Sequence, residues 1–201
     1  MNNSIPEKYQ KIWKKCEPIL RAGRGGDYEH ALETVQMILD YKGQLKLDLD
    51  ILIPTAMMHD IGHIAILDEH LKYVTGAKKL INSKLVHMLT GAKIAKDILE
   101  SAGYDKDKSV EIIDIISMHD ADSLKGININ EFYNTDNKKI FHDFDRLDRF
   151  SEERIRLASP RYENKEDLFK EVENSLNLFF LDEFKQVAHA RLETLRKLLT
   201  K

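Results

Sequence analysis

Apolar residues recur at intervals of three and four positions along nearly the whole chain. Alternation with a period of two, which is typical of strands, appears only briefly around Ile127 and Ile129, inside a polar stretch. A period near 3.6 residues is the primary sequence signal of an amphipathic helix. The pattern therefore predicts an all-α fold.

Start and stop residues divide this pattern into helices. Asp27 is a plausible N-cap, and Gly43 and Gly103 are typical of residues that end helices. The predicted helices are Pro6 to Arg21, Asp27 to about Lys42, about Asp48 to Asp60, Ser83 to Ala102, about Lys108 to His119 and about Asp136 to Phe150. Pro54 predicts a bend or a late start in the third of these. Residues 122–136 are rich in Asn, Asp, Gly and Ser and predict a loop.

The C-terminal part of the chain predicts helices with few candidate functional residues. Ser151 to Glu153 predicts a break, and two further helices follow Pro160. Residues 160–201 carry an apolar helical pattern and one histidine, His189, so we predict that they serve packing or homodimerisation. With 201 residues, the whole chain is predicted to form a single domain, residues 1–201, whose motif-bearing core covers about residues 26–150.

Composition narrows the function classes. The charge balance is 31 − 34 = −3, which does not indicate a nucleic-acid binder. The longest apolar run, Ile51 to Met58, is far shorter than the roughly 20 residues of a membrane span. Residues 1–15 lack the apolar core of a signal peptide, so we expect a cytoplasmic protein. Cys16 is the one cysteine, so any metal site must use nitrogen and oxygen ligands.

Three His-Asp dipeptides stand in the chain, at His59-Asp60, His119-Asp120 and His142-Asp143. The first follows the apolar run and is followed by Ile61-Gly62-His63, whereas the third has neither the run nor the glycine. An imidazole and a carboxylate at the end of a buried helix suit one metal ion or a bridge between two. Gly62 is predicted to let the backbone turn away at positive φ.

Four histidines fall on the inward faces of four different predicted helices: His30, His59, His87 and His119. A single buried histidine is more often a hydrogen-bonded core residue. Four of them would each need a separate buried partner, whereas one shared metal centre would satisfy all four. Asp120 is predicted to be a loop cap, and His70 and His189 are predicted to be solvated.

Five motifs together resemble the HD-domain superfamily of metal-dependent phosphohydrolases. DYEHALETV, MMHDIGH and FDRLDRF resemble its general pattern, and HMLTGAKIA and ISMHD resemble the two additions of its binuclear branches. The matched residues are His30, His59, Asp60, His87, His119 and Asp145. The resemblance covers roughly Gly26 to Phe150 and implies a compact multi-helix HD-domain bundle.

The resemblance also implies the chemistry. Asp60 would bridge two ions, with His30, His59 and Asp145 completing the first site. His87 and His119 would hold the second. These ligands suit one or two ions of Mn²⁺, Fe²⁺, Co²⁺, Zn²⁺ or Ni²⁺, and they also allow Mg²⁺. A metal-activated hydroxide would then cleave a phosphate ester of a nucleotide or another small phosphorylated metabolite.

Position 63 departs from the specialised branches of the superfamily. Nucleotidase-like members carry a glutamate there and cyclic-dinucleotide phosphodiesterases often a lysine, and the Gly-Tyr-Pro signature of the latter is absent after His119. We expect His63 to protonate a leaving oxygen or to contact a phosphate. Asp68, which matches a second acidic site of the nucleotidase branch, is a weaker catalytic candidate.

Basic residues could bind the phosphate of a substrate. Arg24, Lys93 and Arg146 are the candidates, although each also fits an ordinary surface charge.

Two other functions fit the same sequence. Di-iron oxygenases that act on a polyol or an organophosphonate share the HD fold and a ligand set of four histidines and two aspartates, and the phosphonate-cleaving ones also resemble this chain in HDIGH. They would require iron and O₂. A non-enzymatic binding module would be indicated by missing ligands, and the sequence retains all six.

Overall fold

The computed structural model describes residues 5–66, 83–124 and 126–199. Across these ranges the chain forms ten α-helices joined by short 3-10 helices and turns, with no strand, so the predicted all-α fold is confirmed. Asp68 and His70 lie outside the described residues. Within the described ranges, no helix is both long and apolar enough to cross a membrane.

The α-helices are α1 Gln10–Ala22, α2 Asp27–Asp40, α3 Leu49–Met58, α4 Ser83–Ala102, α5 Lys106–Met118, α6 Ile129–Phe132, α7 Asp136–Leu147, α8 Glu152–Ala158, α9 Lys165–Asn174 and α10 Asp182–Leu199. The 3-10 helices are Glu7–Tyr9, Ile61–Ala65, Ala121–Ser123, Asp148–Phe150, Ser159–Arg161 and Ser175–Leu178.

Several predicted boundaries match the structure. Helix α4 has the predicted bounds and is followed by Gly103, which adopts φ 67°. Asp48 caps α3, its side chain accepting a hydrogen bond from the backbone N–H of Asp50 at 3.0 Å. Ser151 caps α8 in the same way, through the backbone N–H of Arg154. These residues supply the hydrogen-bonding groups and backbone freedom that helix ends require.

Two local predictions were wrong. The N-cap of α2 is Gly26, at φ 92°, whereas Asp27 is the first helical residue and its side chain pairs with Arg24 instead. The predicted loop over residues 122–136 contains the short helix α6, capped by the Asn128 side chain. A single helical turn is too short to leave a periodic apolar pattern in the sequence.

The chain divides into two compact units, Met1–Phe141 and His142–Lys201. The prediction of one domain stays a prediction. In the first unit α3 packs against α2 and α5, and α4 packs against α5 and the 3-10 helix Ile61–Ala65. Every residue from Ile51 to Met58 is buried. Because α3 is buried on all sides, its C-terminal end lies in the interior, and this end carries the first His-Asp pair.

The second unit is built around aromatic side chains. The rings of Phe144 and Phe184 meet edge to face with centroids 4.7 Å apart, and both side chains are fully buried. Ala188, Leu192 and Leu195 of α10 are also buried, which confirms the apolar helical pattern predicted there. Homodimerisation through these helices stays a prediction.

Candidate metal centre

The first His-Asp pair sits where α3 ends. His59 is the C-cap of α3, and Asp60 is the N-cap of the 3-10 helix that follows. Both side chains are buried, with 1% of His59 and 6% of Asp60 exposed. A buried carboxylate carries a large desolvation cost unless cations or hydrogen-bond donors surround it. The neighbours of Asp60 therefore define the site.

Three imidazoles around Asp60 share one hydrogen-bonding arrangement. Nδ1 of His59 lies 3.1 Å from the carbonyl oxygen of Ala56, and Nδ1 of His119 lies 2.8 Å from that of Ile116. Nδ1 of His87 lies 3.2 Å from the carbonyl oxygen of Ser83. A proton on Nδ1 can donate to each carbonyl, which leaves Nε2 as the basic nitrogen. This arrangement orients imidazoles as metal ligands.

The Nε2 atoms converge on the Asp60 carboxylate. Measured to Oδ1, the separations are 3.3 Å for His63, 3.6 Å for His119 and 3.7 Å for His87. Nε2 of His59 lies 3.6 Å from Oδ2. These separations are close to those between atoms that share a metal ion, since bonds of about 2.0 to 2.2 Å place neighbouring ligands roughly 3.0 to 3.6 Å apart.

Two imidazoles face each other at the same point. The Nε2 atoms of His87 and His119 lie 3.2 Å apart, and the two rings are nearly perpendicular. If both rings carry their proton on Nδ1, two lone pairs point toward each other. A cation between them would remove this repulsion, so the donor geometry fits a metal ion.

His30 extends the cluster on the other side of His59. It is buried on α2, and its ring meets that of His59 edge to face at 5.0 Å. Three sets of candidate ligand atoms result, each with all its atoms within 4.8 Å of one another. The sets are His30, His59 and Asp60; Asp60, His63 and His87; and His87, His119 and Asp120.

The electrostatics favour the protonation states that metal ligation requires. Burial opposes the charge on Asp60, yet the adjacent imidazoles, His59 foremost, hold the pKa of Asp60 well below its ordinary value. Burial and the neighbouring His119 and His63 lower the pKa of His87 to about 3. An ionised carboxylate and a neutral imidazole are the forms that bind metal ions.

Two glycines bring α4 against the Asp60 turn. A Cβ atom at Gly62 would lie 1.8 Å from the carbonyl oxygen of His87 and 2.5 Å from the nitrogen of Gly91. A Cβ at Gly91 would lie 3.3 Å from the carbonyl oxygen of His59. The prediction that Gly62 serves a positive φ was wrong, because the described positive-φ glycines are at positions 26, 43, 103 and 126. Its function is close backbone approach.

Arg24 reaches the site from the loop before α2. Its Nη2 atom donates to Asp60 Oδ2 at 3.0 Å, and the same guanidinium pairs with Asp27 Oδ1 at 2.6 Å. Burial and the charge of Asp60 raise the pKa of Asp27, while Arg24 opposes that rise. The arginine side chain is 46% exposed, so it links the buried carboxylates to the surface.

The other predicted residues have different surroundings. Lys93 is exposed on α4. Arg146 is buried in the second unit, where its Nη2 atom lies 3.1 Å from Nε2 of His142. Asp145 is half-buried in the second unit. Asp68 lies outside the described residues. The substrate-binding roles of Lys93 and Arg146, the metal-ligand role of Asp145 and the catalytic role of Asp68 stay predictions.

The surroundings of the rival pair His142-Asp143 indicate a structural function. The Asp143 carboxylate accepts hydrogen bonds from the backbone N–H groups of Phe180, at 3.0 Å, and Leu181, at 2.8 Å. It also lies 3.0 Å from Nδ1 of His142. A carboxylate with these donors secures the turn that precedes α10.

Asp120 was not among the ligands predicted from the sequence. Asp120 occupies the N-cap position of the 3-10 helix that follows, but its side chain accepts no capping hydrogen bond, so the predicted capping function is wrong. Instead the buried carboxylate pairs with Lys84, and Oδ2 lies 3.7 Å from Nε2 of His87. The sequence signal that could have indicated this position was the repetition of a His-Asp pair after an apolar helix.

A family model, described as HD domain, matches residues 27–150. The chain belongs to the HD-domain family. HD domains are generally metal-dependent phosphohydrolases, and the buried His/Asp clusters of this chain are consistent with a metal site. No curated protein and no solved structure matched the chain. Any proposal more specific than the family therefore rests on the geometry of the site.

Proposed function

We propose that this HD-domain protein is a hydrolase that uses one or two divalent metal ions to cleave a phosphate ester of a nucleotide or another small phosphorylated metabolite. The observation that supports this most strongly is the convergence of four imidazole Nε2 atoms on Asp60, within 3.3 to 3.7 Å of its carboxylate oxygens. A purely structural aspartate would not need four imidazoles.

The proposed ligands divide into two sets that share Asp60. His30, His59 and Asp145 complete the first, and His87 and His119 complete the second. All donors are nitrogen or oxygen, which suits Mn²⁺, Fe²⁺, Co²⁺, Zn²⁺ or Ni²⁺ and also allows Mg²⁺. When bound, such an ion acts as a Lewis acid, lowers the pKa of water and stabilises charge on phosphoryl oxygens.

Arg24 is the proposed phosphate-binding residue of the centre. Its guanidinium lies beside Asp60 and its side chain is nearly half exposed, so it can turn from the two aspartates toward an incoming phosphate. Guanidinium groups bind phosphate oxygens with two parallel hydrogen bonds. Arg24 would stabilise the negative charge that develops on those oxygens. Lys93 and Arg146 remain secondary candidates.

His63 is proposed to serve the leaving group. Its ring stacks on His87 with centroids 4.2 Å apart and an interplanar angle of 5°, which fixes its orientation. It is more exposed than the other imidazoles of the cluster, with 11% of its side chain accessible. In that position it could donate a proton to the departing oxygen. Asp68 remains a weaker catalytic candidate.

A substrate screen tests the proposal. Metal-depleted protein is reconstituted with Mn²⁺ and, separately, with Fe²⁺, and is incubated under nitrogen with nucleotides and small phosphorylated metabolites. We expect release of phosphate or of the dephosphorylated product from at least one substrate, and none from the metal-depleted protein. The oxygenase alternative predicts iron-specific O₂ uptake with substrate loss in air and no hydrolysis under nitrogen.

A further inference from the structure

The His119-Asp120 pair repeats the local structure of His59-Asp60. His59 and His119 are both helix C-caps, with φ/ψ of −59°/−37° and −61°/−25°. Asp60 and Asp120 are both N-caps of the next 3-10 helix, with φ/ψ of −97°/0° and −105°/22°. Each histidine also places Nδ1 on the carbonyl three residues earlier. The same backbone path therefore presents a second imidazole and carboxylate.

Asp120 faces the histidine pair. Its Oδ2 atom lies 3.7 Å from Nε2 of His87, and ligand atoms of His87, His119 and Asp120 lie within 4.8 Å of one another. All three residues are buried. Asp60 Oδ1 lies 3.6 Å from Nε2 of His119 and 3.7 Å from Nε2 of His87. Nε2 of His87 therefore lies 3.7 Å from an oxygen of each carboxylate.

Asp120 already pairs with a cationic side chain. The Nζ atom of Lys84 pairs with Oδ2, the oxygen nearest His87, and the lysine side chain is 40% exposed. A flexible ammonium on the first turn of α4 can move into solvent at small cost. A divalent ion at this point would take over its electrostatic function.

We propose that Asp120 is a ligand of the second metal ion, together with His87, His119 and Asp60, and that Lys84 competes with this ion for the Asp120 carboxylate. The inference rests on the proposed metal centre and adds a residue that the family pattern does not supply. It gives the second ion two nitrogen and two oxygen ligands, a set that accepts Mn²⁺, Co²⁺, Zn²⁺ or Fe²⁺.

A cysteine at position 120 tests direct ligation. Asp120→Cys protein is loaded with Co²⁺, and we expect a thiolate-to-cobalt charge-transfer band in the near ultraviolet. Wild-type protein, whose Cys16 is buried in α1, and Asp107→Cys, altered at an exposed position of α5, are the controls and should lack the band. Co²⁺ bound at the wild-type stoichiometry without the band would overturn the inference.

The lysine gives an independent test that does not alter a ligand. In Mn²⁺ titrations of metal-depleted protein followed by calorimetry, Lys84→Met should bind the second ion about tenfold more tightly, with Lys96→Met as the control on the same helix. Unchanged affinity in Lys84→Met would contradict the competition. If wild-type protein binds neither Mn²⁺ nor Co²⁺, the metal centre itself fails. If wild-type protein binds two ions and both tests are negative, Asp120 is not a ligand, and the rest of the proposed metal centre stands.

Discussion

Gly62 lies so close to the carbonyl oxygen of His87 that a Cβ atom there would stand 1.8 Å from it. This contact joins the turn that carries Asp60 to the helix that carries His87. Because the obstacle is backbone, a side chain at position 62 must displace α4 rather than rotate a neighbour. The proposed metal centre thus depends on a backbone contact as well as on the side chains of its ligands.

Gly62→Ala should therefore damage both stability and metal binding. Overpacking typically costs about 1 to 3 kcal/mol, and a backbone collision belongs at the upper end. Thermal unfolding and metal analysis would measure the two effects. Gly25→Ala is the matched control, because a Cβ at Gly25 meets nothing within 4 Å. Equal stability and metal content in the two variants would show that α4 moves away from a Cβ at position 62 at no cost, which would contradict the prediction.

Asp143 should prove structural. Asp143→Ala removes the acceptor of the Phe180 and Leu181 backbone N–H groups and should destabilise the protein by about 3 kcal/mol. The metal content of the folded variant should equal that of wild type. Chemical denaturation and metal analysis provide the readouts. Loss of metal without loss of stability would instead make His142-Asp143 the ligand pair.

The two ions should be separable. His87→Ala and His119→Ala each remove one nitrogen from the proposed second set and leave His30, His59 and Asp60 in place. We expect each variant to lose one ion selectively, as measured by metal-to-protein ratio and by Mn²⁺ titration. Metal content equal to wild type in both variants would assign these histidines to the core.

His63→Ala should separate catalysis from binding. If His63 protonates the leaving group, its removal lowers kcat by about 10² to 10⁴-fold while the metal content is retained. Because Nε2 of His63 lies 3.3 Å from Asp60, ligation is the competing role. Loss of an ion from His63→Ala would favour that role.

The sequence predicts the fold well where the signal is local. The bounds of α4 follow from an apolar pattern that ends at Gly103, and the inward positions of four histidines follow from helical periodicity. All four are buried in the structure, and their ring nitrogens meet in the first unit.

Contacts between residues that are far apart in the sequence left no such local signal. The function of Gly62 depends on a helix about 25 residues further along the chain, and the capping preference of glycine suggested a different reason for it. Asp120 likewise looks like a loop residue until α4 is placed beside it. Arg24 was one of three basic candidates, and its contact with Asp60 depends on the fold of the loop before α2.

The most direct test of the account is the metal content of Asp60→Ala beside wild type and His142→Ala. Each protein is purified without added metal, reconstituted with Mn²⁺, dialysed and analysed for ions per chain, with circular dichroism to confirm the helical fold. We predict more than one ion per chain in wild type and in His142→Ala, and loss of both ions in Asp60→Ala, because Asp60 is the shared ligand. A folded Asp60→Ala that keeps the wild-type metal content would contradict the account.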